Sequence, residues 1–356
     1  MKISKNYFIE NRLPIKEILL IGFFPSIIKK LFYRLKKYKI GRNVKFSFGS
    51  LIIAKNNCSI GEGTIVGFFS IIIVNKLTIG NNCRIRSFTF IKTDKMKLGN
   101  DVIISENVKI RAGHPSPYSS IDIESRVHIF PYAILDTSYP IHIGEESCIG
   151  FYTDIYTHGA YKNILEGYSV LYGAVDIGKR VELTYKVFVA PGVSIKDDVQ
   201  VAYGSYVNKD LPYGVLAAGT PAKIKRVKDE FAPTPSYEKK IIIINNIIDS
   251  FCDYLKYYDK CSSQKKIEKQ WVIKNGKDKT NIFLNVEDSK KENCYNENDI
   301  VICFNKVSSS YREYLINNKI QLFDLKQLMC ANLTTNYGKE IRSYFGRYGI
   351  RFKEDY

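Results

Sequence analysis

The sequence predicts a mainly β chain: a parallel β-helix of hexapeptide repeats, preceded by a basic helical segment and followed by a small α/β domain. Three observations predict it. Aliphatic residues stand at every sixth position through Ile177, Leu183, Val189, Ile195, Val201 and Val207, with Val181, Val187, Val193, Val199 and Ser205 halfway between. A period of six is neither the 3.6 of a helix nor the 2 of a simple strand, and repetition at a fixed period marks a solenoid. Ile60-Gly61, Ile79-Gly80 and Leu98-Gly99 recur at 19-residue intervals, one coil of three hexads plus a corner residue. The pattern stops after Arg226, where the run FAPTP at 231–235 reads as a linker.

Residues 1–38 form the first element. The apolar run that includes ILLIGFF at 18–24 is broken by Pro25 and ends near Ile28. Such a run is too short to span a bilayer as a helix, and no small-residue cleavage site follows, which disfavours a secretory signal. From Lys29 to Lys39 come six basic residues (Lys29, Lys30, Arg34, Lys36, Lys37, Lys39) and no acid. Leu31, Phe32 and Leu35 share a helical face with this charge. Two readings stay open: an amphipathic helix on an anionic membrane surface, or a helix that caps the open end of the β-helix with solvated lysines.

The repeat occupies residues 39–228, with Ile123, Ile143, Ile177 and Ile195 continuing the series. The 34 residues from Ile143 to Ile177 exceed one coil, so a loop leaves the scaffold at 158–176, directly after His158. Long loops on a regular scaffold are where binding and chemistry concentrate. A smaller excess, PSPYSS, follows His114. With Ile110 and Ile155 as third-strand starts, His114 and His158 fall on one edge two coils apart, about 10 Å at the spacing of stacked strands. Beyond the linker, residues 236–356 read as a small α/β domain. It has an amphipathic helix over 241–258, strands near 271–273, 281–286 and 300–304, and helices over 309–317 and 337–348. It carries no phosphate loop and no metal-ligand spacing, and its role is not legible.

With 53 Lys and Arg against 36 Asp and Glu, the chain carries a net charge of +17, which suits anionic partners. No nucleic-acid recognition signature accompanies the charge, so phosphate-bearing ligands or lipids are expected rather than nucleic acid. None of the eight cysteines forms a CxxC pair; those in the repeat read as core residues in a chain kept reduced in the cytoplasm.

Two strings carry a resemblance. The first is Lys209-Asp210, Pro212-Tyr213 and Ala218-Gly219-Thr220-Pro221-Ala222-Lys223; the second runs from Thr157-His158-Gly159 through Asn163 to Gly167-Tyr168. Over roughly residues 12–228 the chain resembles the left-handed β-helix (hexapeptide-repeat) acyltransferase family, in its glycan O-acetyltransferase-like branch. The resemblance implies acetyl-coenzyme A as co-substrate and His158 as catalytic base. It also implies a homotrimer, with the donor in a groove between subunits. There the backbone at Ala190, Gly192, Ala202, Gly204 and Ser205 would hold the pantetheine arm, and Lys209, Lys223 and Arg226 would meet the phosphates. Tyr161, Asn163 and Tyr168 would line the acceptor side; His114, from its place on the same edge, is either a second acceptor contact or a loop histidine before a proline. One departure is Val181-Glu182-Leu183, where the family commonly has a tryptophan.

Acyl transfer from a thioester needs a base for the acceptor hydroxyl, and histidine titrates near neutrality. Asp136, Asp154 and Glu166 are the carboxylates that could orient it; Asp136 is favoured because the preceding coil places it beside His158. His128 and His142 read as structural. Gaps of 14, 14 and 16 between the four histidines do not stack on the coil, so no zinc is expected. The function expected is acetyl transfer to a sugar hydroxyl of a cell-surface polysaccharide or its lipid-linked precursor, in the cytoplasm or peripherally at the inner membrane face. The alternatives are an N-acetyltransferase on an amino-sugar nucleotide and a non-catalytic β-helix scaffold.

Overall fold

The computed structural model describes residues 15–112, 118–159, 162–258, 262–267, 269–275, 278–285 and 295–354. The chain divides into two compact units, Met1–Pro233 and Thr234–Tyr356.

The first unit is a coil of short parallel strands in three rows, each strand paired with its counterpart one coil later. One row runs from Lys45–Phe46 through Ile65–Val66, Arg84–Ile85, Ile103–Ile104, His128–Ile129, Cys148–Ile149 and Glu182–Leu183 to Gln200–Val201. The other two rows merge into a 14-stranded sheet, because Ile71–Ile79 and Phe90–Leu98 run unbroken around a corner. Register is strict: Ile121 pairs with Ile141, and Ile141 with Val175. The aliphatic series therefore stacks into one interior, in which Ile85, Ile104, Ile129, Ile149, Leu183 and Val201 are all buried. Burying such a side chain contributes about 1.5–3 kcal/mol, and the six-residue spacing repeats it at every rung.

Three corners separate the rows. The first lies between strands such as Ile141–Ile143 and Cys148–Ile149, and the second between Cys148–Ile149 and Asp154–Ile155. The third follows Asp154–Ile155 and leads on to Val175–Ile177, in the row that holds Ile141–Ile143. The first two are tight turns with one residue in the left-handed region. Only the third varies in length. Ile143 and Ile177 pair as neighbours despite their separation, so the intervening excess is expelled at this corner.

Helix α1, Ser26–Leu35, closes the N-terminal end of the coil. Its inward face is Lys29, Phe32 and Tyr33. The Tyr33 hydroxyl accepts from Ile52 N at 2.9 Å, and Tyr38 accepts from Ala54 N and donates to Ala54 O, both at 2.8 Å. These bonds occupy backbone groups of the first coil that have no preceding strand to pair with. Lys29 departs from the sequence expectation: it is buried rather than solvated, and its ammonium donates to Ser47 O, Ser50 O and Ser50 Oγ at 2.6, 3.0 and 3.1 Å. Burial lowers its pKa to about 8. Phe32 also departs from it, packing against the core instead of sharing the outer face with Leu31 and Leu35.

The second unit is a seven-stranded sheet whose strands follow one another in sequence order, with helices α2 (Tyr237–Tyr258), α3 (Ser309–Asn317) and α4 (Asn336–Gly346). Strands Gln270–Asn275, Asp278–Asn285 and Ile300–Cys303 lie where apolar runs suggest them. Ser262–Ile267, Gln321–Asp324, Met329–Ala331 and Lys353–Glu354 have no such signal. Among the described residues, no helix is long and apolar enough to cross a membrane.

Candidate active site

The site sits at the third corner, where the chain leaves the coil. After Asp154–Ile155, a two-residue strand His158–Gly159 pairs antiparallel with Leu171–Tyr172, His158 facing Tyr172. A short 3-10 turn, Ile164–Glu166, lies between them. The strand ahead of this in the stack, Ile134–Asp136, ends on Asp136, because Leu135 pairs with Ile155. Two coils thus deliver two side chains to one point: His158 Nδ1 lies 2.8 Å from Asp136 Oδ1.

The carboxylate is fixed before the histidine reaches it. Asp136 Oδ1 also accepts from Ser138 N at 3.1 Å and from the Thr157 hydroxyl at 3.0 Å; that hydroxyl lies 2.8 Å from Asp136 O as well and accepts from Tyr139 N at 2.9 Å. Asp136 is nearly fully buried, with 6% of its side chain exposed, whereas His158 keeps 19%. An ionised carboxylate has only acceptors, so facing one Nδ1 must be the donor, and in the neutral ring Nε2 is then the nitrogen with the free lone pair. This arrangement can take a proton from a hydroxyl held at the open side of the ring.

Aromatic rings flank the histidine. Tyr156 lies 6.4 Å from its ring and stacks on Phe188, while Tyr139 lies 5.6 Å from Tyr172 and stacks on Tyr118. Burial, together with the negative charge of Asp154 and Asp136, raises the Tyr156 pKa, so it stays a neutral phenol. Burial likewise raises that of Asp154, which projects from the strand beside it.

The other residues singled out in the sequence are dispersed. Tyr156 N donates to Val189 O, which places Ala190 and Gly192 at the same corner as His158, one coil on. Lys209 follows Tyr206–Val207 and shares that corner a coil further along. Ala202, Gly204 and Ser205 sit at the second corner instead, and the Ser205 hydroxyl is turned inward, donating to Ala202 O at 2.6 Å. Lys223 and Arg226 project from Lys223–Val227, an exposed strand antiparallel to Val215–Ala218. Within one chain, then, the donor-side residues do not form a single line. Asn163 caps the 3-10 turn, its Oδ1 accepting from Leu165 N, and its amide donates to Glu166. Tyr168 stacks under the Lys162 ammonium at 4.4 Å. His114 and Tyr161 lie outside the described residues. His128 is 3.0 Å from Ser105 Oγ and stacks on Phe130; His142 faces Glu124.

No family model matches the chain. The chain is 33% identical over 97 residues to “Putative acetyltransferase YvoF” of Bacillus subtilis, covering 27% of this chain and 54% of that one. It is 40% identical over 52 residues to the galactoside O-acetyltransferase of Escherichia coli, 15% of this chain and 26% of that one. The chain spans about half the length of the curated relatives it matches. Among solved structures, LpxA from Acinetobacter baumannii aligns with a TM-score of 0.43 at 16% identity, covering 63% of this chain and 87% of that one.

Sequence reasoning missed Thr157 and Ser138 as the residues that hold Asp136. The only available signal was the position of Thr157 next to His158; nothing in the sequence distinguishes Ser138 from other corner serines. The aromatic flanks were equally invisible, because each ring reaches the site from a different coil.

Proposed function

We propose that the chain is an acyltransferase that moves an acetyl group from acetyl-coenzyme A to a sugar hydroxyl of a cell-surface glycan or its lipid-linked precursor. The observation that carries this reading is the His158–Asp136 pair at 2.8 Å, mounted where a loop leaves the coil. The similarity to proteins named as acetyltransferases, one of them a galactoside O-acetyltransferase, supports the reaction class and the kind of acceptor.

In this reading Nε2 of His158 takes the hydroxyl proton as the oxygen attacks the thioester carbonyl. Asp136 stabilises the imidazolium that results. The tetrahedral intermediate, its oxyanion held by backbone amides, collapses by breaking the carbon–sulfur bond. The proton on His158 passes to the departing thiolate, giving the acetyl ester and coenzyme A. No covalent enzyme intermediate is required, because donor and acceptor meet in one cleft. Ala190 and Gly192, one coil from His158, suit the thioester end of the donor. Lys223 and Arg226 on the exposed hairpin suit its phosphates, and a homotrimer supplies the second wall that a single chain lacks.

The test is coenzyme A release from acetyl-coenzyme A with a panel of glycans, wild type against His158→Ala. Acceptor-dependent release that falls roughly 10²–10⁴-fold in the variant supports the mechanism. Equal release by both proteins removes His158 from it, and no release with any acceptor leaves the scaffold reading in its place.

A further inference from the structure

The surface around α1 is apolar to an unusual degree. On its outer face Ile27 is 78% exposed, Leu31 61% and Leu35 76%, spaced four residues apart along one stripe. Ile28 flanks the stripe, and Ile15, Leu19, Leu20, Phe23 and Phe24, in the turns that precede the helix, are also exposed. Burial of Lys29 and Tyr33 against the coil, with Phe32 partly buried beside them, fixes the helix's rotation, so the apolar stripe cannot turn inward.

The patch continues onto the coil. Phe23 lies 4.9 Å from Phe48, Phe48 5.9 Å from Phe69, and Phe69 5.7 Å from Phe88, a ladder of rings along the second corner. Phe48, Phe68, Phe69 and Phe88 are all exposed. Phe69 and Phe88 hold left-handed backbone, with φ of 53° and 60°, where Gly49 and Asn107 stand on neighbouring rungs. A bulky side chain in that region is disfavoured, and a ring left about half-exposed recovers only part of that by burial in this chain. A contiguous apolar surface of this kind marks an interaction site.

Its rim selects the partner. Lys16, Arg34, Lys37 and Lys39 are exposed, Lys30 and Lys36 are half-buried, and Glu17 is the single acid between residues 15 and 40. We infer that α1, the preceding turns and the phenylalanine ladder form a docking surface for a bilayer containing anionic lipid, the apolar rings and aliphatic stripe entering the interface and the basic rim meeting the headgroups. The chemistry is that of an interfacial amphipathic segment, with the coil supplying rigid aromatic insertions beside the helix. A peptide or a second copy of the chain would match the apolar stripe; the predominantly basic rim, six Lys and Arg against Glu17, favours the lipid surface. This inference does not depend on acetyl transfer.

The experiment is co-sedimentation of the full chain with phosphatidylcholine vesicles, with and without about one part in three phosphatidylglycerol. The expected result is binding to the anionic vesicles that weakens with added salt and is much poorer on phosphatidylcholine alone. Two surface variants follow, each checked for folding by circular dichroism: Leu31→Asn with Leu35→Asn, and Arg34→Ser with Lys37→Ser. The first should abolish binding. The second should weaken it on the order of tenfold or more, since each basic residue near an anionic surface contributes severalfold. Absence of binding by the wild type overturns the inference. So does binding that both variants retain. A change in oligomer size in the Leu variant, with vesicle binding intact, overturns it in favour of a second copy.

Discussion

The first and second corners of the coil share a backbone and differ in the side chains most of their rungs carry. Both are tight turns with a left-handed residue on each rung. At the first corner these residues include Asn43, Asn82, Asp101, Arg126, Glu146, Arg180 and Asp198. Their neighbours form a polar ladder: Asn81 Oδ1 accepts from Glu62 N, and Asn100 Oδ1 from Asn81 N, each at 2.8 Å. Ion pairs join successive coils, Arg126 with Glu145 and Glu146, and Arg180 with Asp198. At the second corner the same position holds Phe69, Phe88, Tyr132 and Tyr152, whose rings stack on one another and face outward. The fold asks only for a residue that tolerates positive φ, and Asn or Asp tolerates it best among side chains that have a Cβ. Four of the seven residues named at the first corner meet that request, and polar and ionic contacts there tie the coils together. The second carries an aromatic ring on four of its rungs, which the backbone conformation does not call for. The third corner, free in length, is where His158 and Asp136 meet.

Each corner should therefore fail in its own assay. The largest effect belongs to the third. On the proposed mechanism, Asp136→Ala should lower kcat by roughly 10²-fold, with KM changed much less, because it would remove the group that orients His158 and stabilises its charged form. Asp136→Asn should lose at least as much, because its amide can donate to Nδ1 and so favour the tautomer with the proton on Nε2. Losses in kcat matched by losses in thermal stability for both variants would reassign Asp136 to the scaffold.

A smaller effect belongs to the second corner. Replacing Phe69 and Phe88 by glycine relieves strained backbone and loses little burial. Thermal stability should shift by no more than about 1 kcal/mol, roughly 2–4 °C in Tm, while vesicle binding falls. A drop of many degrees would make the ladder structural and erase the contrast with the first corner.

The smallest belongs to the first corner and depends on pH. Arg180 and Lys228 hold the Asp198 carboxyl down at about 2, against an ordinary value near 4. Between those values the unfolded chain binds the proton and the folded chain does not, so stability rises with pH across that window. The contribution is intact above about pH 4 and is lost as pH falls toward 2. In Asp198→Asn this slope should vanish from an acid titration of stability, with acetyl transfer and vesicle binding unaffected at neutral pH.

How much of this was legible follows from how each feature is encoded. The aliphatic hexads named the coil because an inward side chain at every rung is a local, repeating demand. The loop at 158–176 was legible for the same reason, since any interruption of a fixed period shows as an excess of residues. Asp136 could be placed beside His158 by counting rungs. Thr157 and Ser138 could not be assigned to it, because hydroxyls are common at corners and only their directions distinguish them. In the second unit, Ile300–Cys303 stood out as a continuous apolar run, while Gln321–Asp324 is buried yet half polar; Gln321 donates to Asn298 O and Asp324 accepts from Val307 N.

By itself, then, the sequence determined the period, the parallel coil it implies and the corner where the chain must leave it, because each follows from spacing along the chain. Only the tertiary structure decided which way side chains turn once coils are stacked. It buried Lys29 and left Leu31 and Leu35 bare. It sent Ala190 and Ser205 to different corners, and it gathered phenylalanines about 20 residues apart into one ladder. Those outcomes depend on neighbours one coil away, contacts set by stacked strands about 4.8 Å apart rather than by residues adjacent in the chain.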